Sequence, residues 1–189
     1  FSAGTKETAD RNHGLFVDQF HPYIDVLNAA RSRSPEYARI TAGDAVHPGP
    51  PGQALMAASI LKGLSFPTLV SSVEIDGSAG KLITAQNCTV EDIRVKDGRL
   101  SFSRRDRALP FFPEDAAGIL PWASILEELN DYRLKVTGLP AGTYAIQLDG
   151  TRITEITAEQ LATGTNLAAA ALQTGPIADQ VKAVRTAVE

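Results

Sequence analysis

Gly43-Asp44-Ala45-Val46-His47-Pro48-Gly49-Pro50-Pro51-Gly52-Gln53 sets a carboxylate and an imidazole three residues apart, on a stretch too rich in glycine and proline for the interior of a helix or strand. The apolar run Ala54-Leu55-Met56-Ala57-Ala58-Ser59-Ile60-Leu61 follows at once. Its spacing predicts a helix from about Gln53 to Leu64, with Met56, Ala57, Ile60, Leu61 and Leu64 on one stripe and Gly63 near its end. Upstream, Tyr37-Ala38-Arg39-Ile40-Thr41 reads as a short strand leading into the loop, and Ser32-Arg33-Ser34-Pro35 as a helix stop. His21-Pro22 reads as a helix start, with proline where its missing N–H costs nothing. Tyr23, Ile24, Leu27 and Ala30 would face inward, Asp25 and Asn28 outward. Leu15-Phe16-Val17-Asp18-Gln19-Phe20 suits a buried parallel strand. Residues 2–12 fit the tail of a helix stopped by Asn12-His13-Gly14. Residues 15–65 therefore read strand, helix, strand, loop, helix: a right-handed βαβα unit of a doubly wound sheet, with the Asp44–His47 loop beyond a strand's carboxyl end.

Past Phe66-Pro67 the pattern changes. Val90–Val95, Tyr132–Val136 and Thr143–Leu148 alternate with period two, and Asp76-Gly77, Asp97-Gly98 and Asp149-Gly150 are hairpin-type turns. The chain thus divides into an α/β part at residues 1–65, a small antiparallel β domain at 66–156, read as a sandwich, and a helical segment at 157–189. Trp122, Ile125, Leu126 and Leu129 would pack on the β domain. Thr157-Ala158-Glu159-Gln160 is a capping-box pattern, and Ile177, Val181, Val184 and Val188 recur at helical spacing. Both ends read as cuts in a longer protein.

The chain has 189 residues, 43% hydrophobic and 21% charged, with a net charge of -4. That is ordinary for a globular protein and gives no basic face for nucleic acid. The densest basic run, Ser103-Arg104-Arg105-Asp106-Arg107, reads as a solvated loop. A single cysteine, Cys88, excludes an internal disulfide and reads as a buried structural thiol. No stretch approaches the roughly 18 apolar residues of a membrane span. No cofactor motif stands out. His13, His21 and His47 lie in separate elements without paired-ligand spacing, which argues against a metal.

A serine hydroxyl needs a base to take its proton, and an imidazole serves when a carboxylate holds its other ring nitrogen. Asp44 and His47 supply those two groups. On spacing alone the plainer reading is that Asp44 caps a turn and His47 is a surface histidine.

The string Gly-Asp-x-Val-His-Pro-Gly-Pro-x-Gly-Gln, followed by a Met-Ala apolar helix, resembles the last block of the SGNH hydrolases, the GDSL-like esterases and lipases. Phe16-Val17-Asp18-Gln19-Phe20-His21-Pro22 resembles the segment ahead of that block. The likeness covers about residues 10–65, and the β segment after it is similar to an appendage of some bacterial members. It implies the C-terminal part of a flavodoxin-like three-layer α/β/α domain. It implies His47 as base and Asp44 as its orienter, acting through an acyl-enzyme on carbohydrate O-acetyl or short-chain esters, in a secreted or periplasmic protein without a cofactor.

The chain departs from the family pattern elsewhere. It has no Gly-Asp-Ser block; Gly43-Asp44-Ala45 carries alanine at the serine position. Asn130-Asp131 lacks the preceding glycine of the oxyanion block, and Gly-x-Ser-x-Gly is absent. The expected partner is therefore the missing N-terminal part of the same domain, bringing the serine, and these 189 residues are expected to be inactive alone. The alternative is a non-catalytic carbohydrate- or partner-binding β module presenting Tyr132 and Tyr144. Asp18 reads as a cap of the following helix, Ser71 and Ser72 as sheet residues, and Phe111, Phe112 and Trp122 as packing residues.

Overall fold

The computed structural model describes residues 1–33 and 47–188. It is a mixed α/β chain whose residues group into two compact units. The first comprises Phe1–Pro67 and Phe112–Ile125, the second Thr68–Phe111 and Leu126 onward. The grouping differs from the three parts expected: residues 112–125 leave the β region, and the C-terminal helices join it.

In the first unit, α1 (Ser2–Arg11) is polar and buries no residue. It stops where expected, with His13 at φ 54° and the Gly14 amide donating back to the Ala9 carbonyl at 2.8 Å. Helix α2 (Phe20–Arg33) buries Leu27 and Ala30 and exposes Asp25 and Asn28. Helix α3 (Pro50–Gly63) follows Gly49. Two expectations fail here. Leu15–Gln19 forms no strand, and Leu15 is 70% exposed. An apolar run signals burial against something, whereas a strand also needs a paired neighbour, and Leu15–Gln19 makes no ladder with the described residues. The buried face of α3 carries Gly52, Leu55 and Ala58, while Ala57, Ile60 and Leu64 of the expected stripe are exposed. A helix apolar almost all round leaves its periodicity undecided, and the faces with small residues are those that admit close neighbours. Gly63 is such a place, since a Cβ there would lie 2.5 Å from Val17 Cγ1. The expected strand at 37–41 lies outside the described residues.

The second unit contains β1 (Leu69–Asp76), β2 (Lys81–Gln86), β3 (Cys88–Lys96), β4 (Arg99–Asp106), α4 (Ile125–Leu129, from Leu126), β5 (Asp131–Thr137), β6 (Thr143–Leu148), β7 (Thr151–Thr157), α5 (Ala158–Thr163), β8 (Thr165–Asn166), α6 (Ala168–Ala171) and α7 (Pro176–Val188). The central sheet has the order β2-β1-β5-β8, and β3-β4 and β6-β7 are separate hairpins. The expected all-antiparallel arrangement is corrected at its centre, where β1 and β5 run parallel with Val73 opposite Leu134 and Ile75 opposite Val136. Parallel neighbours need a long connection, and more than fifty residues separate these two. Asp97-Gly98 and Asp149-Gly150 close their hairpins with both residues at positive φ, the geometry for which Asp-Gly is suited.

The core joins Val73 and Ile75 of β1, Tyr132, Leu134 and Val136 of β5, Ile156, Leu161, Leu167, Ala168, Ala171 and Ile177. The C-terminal helices thus complete the core of the β unit and are not a separate segment. Thr157 and Gln160 form the expected capping box, each side chain bonded to the other's backbone N–H. Trp122, expected on the β domain, groups with the first unit, where the Arg33 guanidinium lies 5.8 Å from its ring centroid. No helix among the described residues is long and apolar enough to cross a membrane.

Candidate functional site

His47 is exposed and stands three residues ahead of Pro50, the first residue of α3, with Pro48 and Gly49 between. Two prolines open the helix, and Gly49 serves as its N-cap without a side-chain bond. The Gln53 amide N–H donates to the Gly49 carbonyl at 2.9 Å, and Gln53 Nε2 donates to the Pro48 carbonyl at 3.2 Å. Asp44 lies outside the described residues.

The same D-x-x-H-P string occurs a second time, at Asp18-Gln19-Phe20-His21-Pro22, and there the geometry is on view. Asp18 Oδ2 lies 2.5 Å from His21 Nδ1, and Asp18 Oδ1 accepts from the Phe20 and His21 amides at 3.0 and 3.2 Å. The bond to the imidazole, with the backbone bonds, holds the Asp18 carboxyl below its ordinary value. Asp18 therefore caps α2 as expected, and it also grips the imidazole. In this pair the three-residue spacing brings the carboxylate onto Nδ1 of an exposed imidazole, the way an orienting acid holds a general base. Sequence reasoning passed over this pair; the signal for it was the repeated string itself. Among the described residues, no group of three or more His, Cys, Asp or Glu side chains is placed to hold a metal ion.

In the second unit, Ser71 belongs to a buried polar network. Its hydroxyl donates to Asp106 Oδ1 at 2.5 Å and accepts from Arg104 Nη2 at 2.6 Å. Arg104 Nε donates to the same Oδ1 at 2.8 Å, and the Tyr132 hydroxyl donates to Asp106 Oδ2 at 2.9 Å. The guanidinium carbon sits 4.0 Å from the Tyr132 ring centroid. Ser71 is fully buried and Arg104 and Asp106 are each 10% exposed, so these groups hold strands together and Ser71 is closed to substrate. The basic run expected as a solvated loop is corrected accordingly. It lies on β4, where Leu100, Phe102, Arg104 and Asp106 share the half-buried face by strand alternation. Cys88 is partly buried with its Sγ 3.4 Å from the Ser72 carbonyl, and burial pushes its thiol pKa up. Tyr132 is 2% exposed and Tyr144 half-buried, so the aromatic strip of the binding-module reading does not form from them.

Burial, reinforced by the Asp106 carboxylate, pushes the Tyr132 phenol above its ordinary value, against the lowering pull of Arg104. The folded chain keeps this proton at a pH where the unfolded chain, titrating near about 10, releases it. Stability from this group is therefore complete below about pH 10 and falls as pH rises beyond it. Urea midpoints measured from pH 8 to 11 should decline at the alkaline end, and less steeply in Tyr132→Phe. Equal slopes would remove Tyr132 as the cause.

No family model and no curated protein matches the chain. Among solved structures, it is similar to a gut microbial diltiazem-metabolizing enzyme, with 27% identity and a TM-score of 0.81 over 97% of this chain. The chain spans 43% of that enzyme's length.

Proposed function

We propose that this chain is part of a serine ester hydrolase of the SGNH type, a flavodoxin-like α/β/α domain with a β-rich companion, active outside the cytoplasm. His47 is the base, Asp44 orients it, and polypeptide outside these 189 residues brings the serine and its oxyanion donors. The observation that carries this reading is the D-x-x-H-P string ahead of α3, whose twin at Asp18–Pro22 has its carboxylate on the imidazole. The likeness to a structural neighbour described as a diltiazem-metabolizing enzyme adds support for an enzyme.

In the mechanism, Asp44 accepts the Nδ1–H bond and His47 Nε2 takes the serine proton as the oxygen attacks the ester carbonyl. The imidazolium then returns that proton to the departing alcohol, and a water repeats the sequence to release the acid. Treating the natural-length protein, isolated from its source, with a fluorophosphonate should label one serine outside this stretch and stop hydrolysis of an acetyl ester. The 189-residue chain alone should neither label nor turn over. Labelling of a serine within these residues, or ester hydrolysis by them alone, would overturn the assignment.

A further inference from the structure

We propose that Gln53 is a positioning residue for the His47 base, a role that rests on the hydrolase reading above. Gln53 holds both carbonyls that follow His47: its backbone N–H bonds Gly49 O at 2.9 Å, and its Nε2 bonds Pro48 O at 3.2 Å. The first bond is the ordinary first turn of α3. The second is not required by the helix.

Pro50 and Pro51 carry no N–H, so two of the donors a helix start leaves unsatisfied are absent from the outset. Gln160 gives the contrast within the same molecule. It serves its helix by accepting the Thr157 N–H on Oε1 at 3.0 Å, whereas Gln53 donates backward, past the N-cap, into the loop. What it holds there is the one backbone polar group that Pro48 possesses. The pyrrolidine ring fixes φ of Pro48, and the Gln53 bond fixes its carbonyl. The residue directly after His47 is thereby tied to the first turn of α3, whose start is itself seated, with Gly52 buried. An imidazole that must meet both a carboxylate and a serine tolerates little displacement, because a shift of about 1 Å can cost as much as 100-fold in rate.

The test uses the natural-length protein, with His47→Ala as the control for the parent reading. Gln53→Met keeps length and loses the donor; Gln53→Lys restores a donor at similar reach. Gln53→Met should lower kcat about 10- to 100-fold with KM and Tm unchanged, and Gln53→Lys should recover most of the loss. If Gln53→Met matches wild type while His47→Ala is inactive, the positioning role is wrong and the base assignment stands. A kcat loss accompanied by a fall in Tm, or one that Gln53→Lys does not recover, would mark a structural role only and overturn the proposal. If His47→Ala retains full activity, the base assignment fails and this role fails with it.

Discussion

Asp106→Ala should destabilise the second unit by about 3–5 kcal/mol, the cost of removing one partner of a buried ion pair. Asp106 accepts from Ser71, Arg104 and Tyr132, three groups on three different strands, β1, β4 and β5. Alanine would leave the Arg104 cation, 10% exposed, facing two hydroxyls and no carboxylate, and would leave the buried Tyr132 hydroxyl without its acceptor. Urea unfolding followed by circular dichroism measures the loss. A companion variant sharpens the argument. Arg104→Met combined with Asp106→Leu removes both charges and leaves apolar volume, so it should cost clearly less than Asp106→Ala alone. A single-variant loss below about 1 kcal/mol would show that water or side-chain rearrangement satisfies the exposed partners, and that the network does not tie the strands.

The network also shows which features were legible in the sequence. The Asp-Gly turns at 97–98 and 149–150, the Thr157–Gln160 capping box and the stop at Asn12–Gly14 rest on local chemistry, and each formed where the residues demanded it. The mixed α/β character was equally readable. What was not readable depends on partners distant in the chain. Nothing in Leu69–Asp76 or Asp131–Thr137 says that they run parallel, because pairing direction is set by the path between them. Arg104 and Asp106 look like surface charge until Ser71 and Tyr132 are brought to them. Helix α3 is apolar on nearly every side, so its buried face was settled by which small residues met neighbours. At the candidate site the string around His47 is conspicuous, whereas the cap of α2 alone accounts for Asp18 and hides its pairing with His21 in the sequence. The acid of the main pair, Asp44, lies outside the described residues.

His47→Ala should lower kcat/KM of the natural-length protein for an acetyl ester by about a millionfold, the scale of losing the imidazole of a serine triad. Asp44→Asn should fall in the same direction, because an amide offers Nδ1–H no charge to stabilise the imidazolium. The informative comparison is His21→Ala. Both histidines occupy the string D-x-x-H-P, so the string alone does not choose between them. Their settings do. His21 is the second residue of α2, and Asp18 is committed through Oδ1 to the helix amides as well as to the ring. His47 precedes its helix, on a loop of glycines and prolines whose carbonyls are held by Gln53. His21 is itself exposed, but its carboxylate partner is also engaged in capping α2, whereas the loop ahead of α3 leaves its backbone open to a substrate. His21→Ala should therefore keep esterase activity within about threefold of wild type, since surface substitutions away from a reaction centre seldom change more. Measured Tm values for each variant separate lost chemistry from lost fold. If His21→Ala proved inactive with Tm unchanged and His47→Ala remained active, the catalytic pair would be Asp18–His21, and the loop ahead of α3 would be only a helix start.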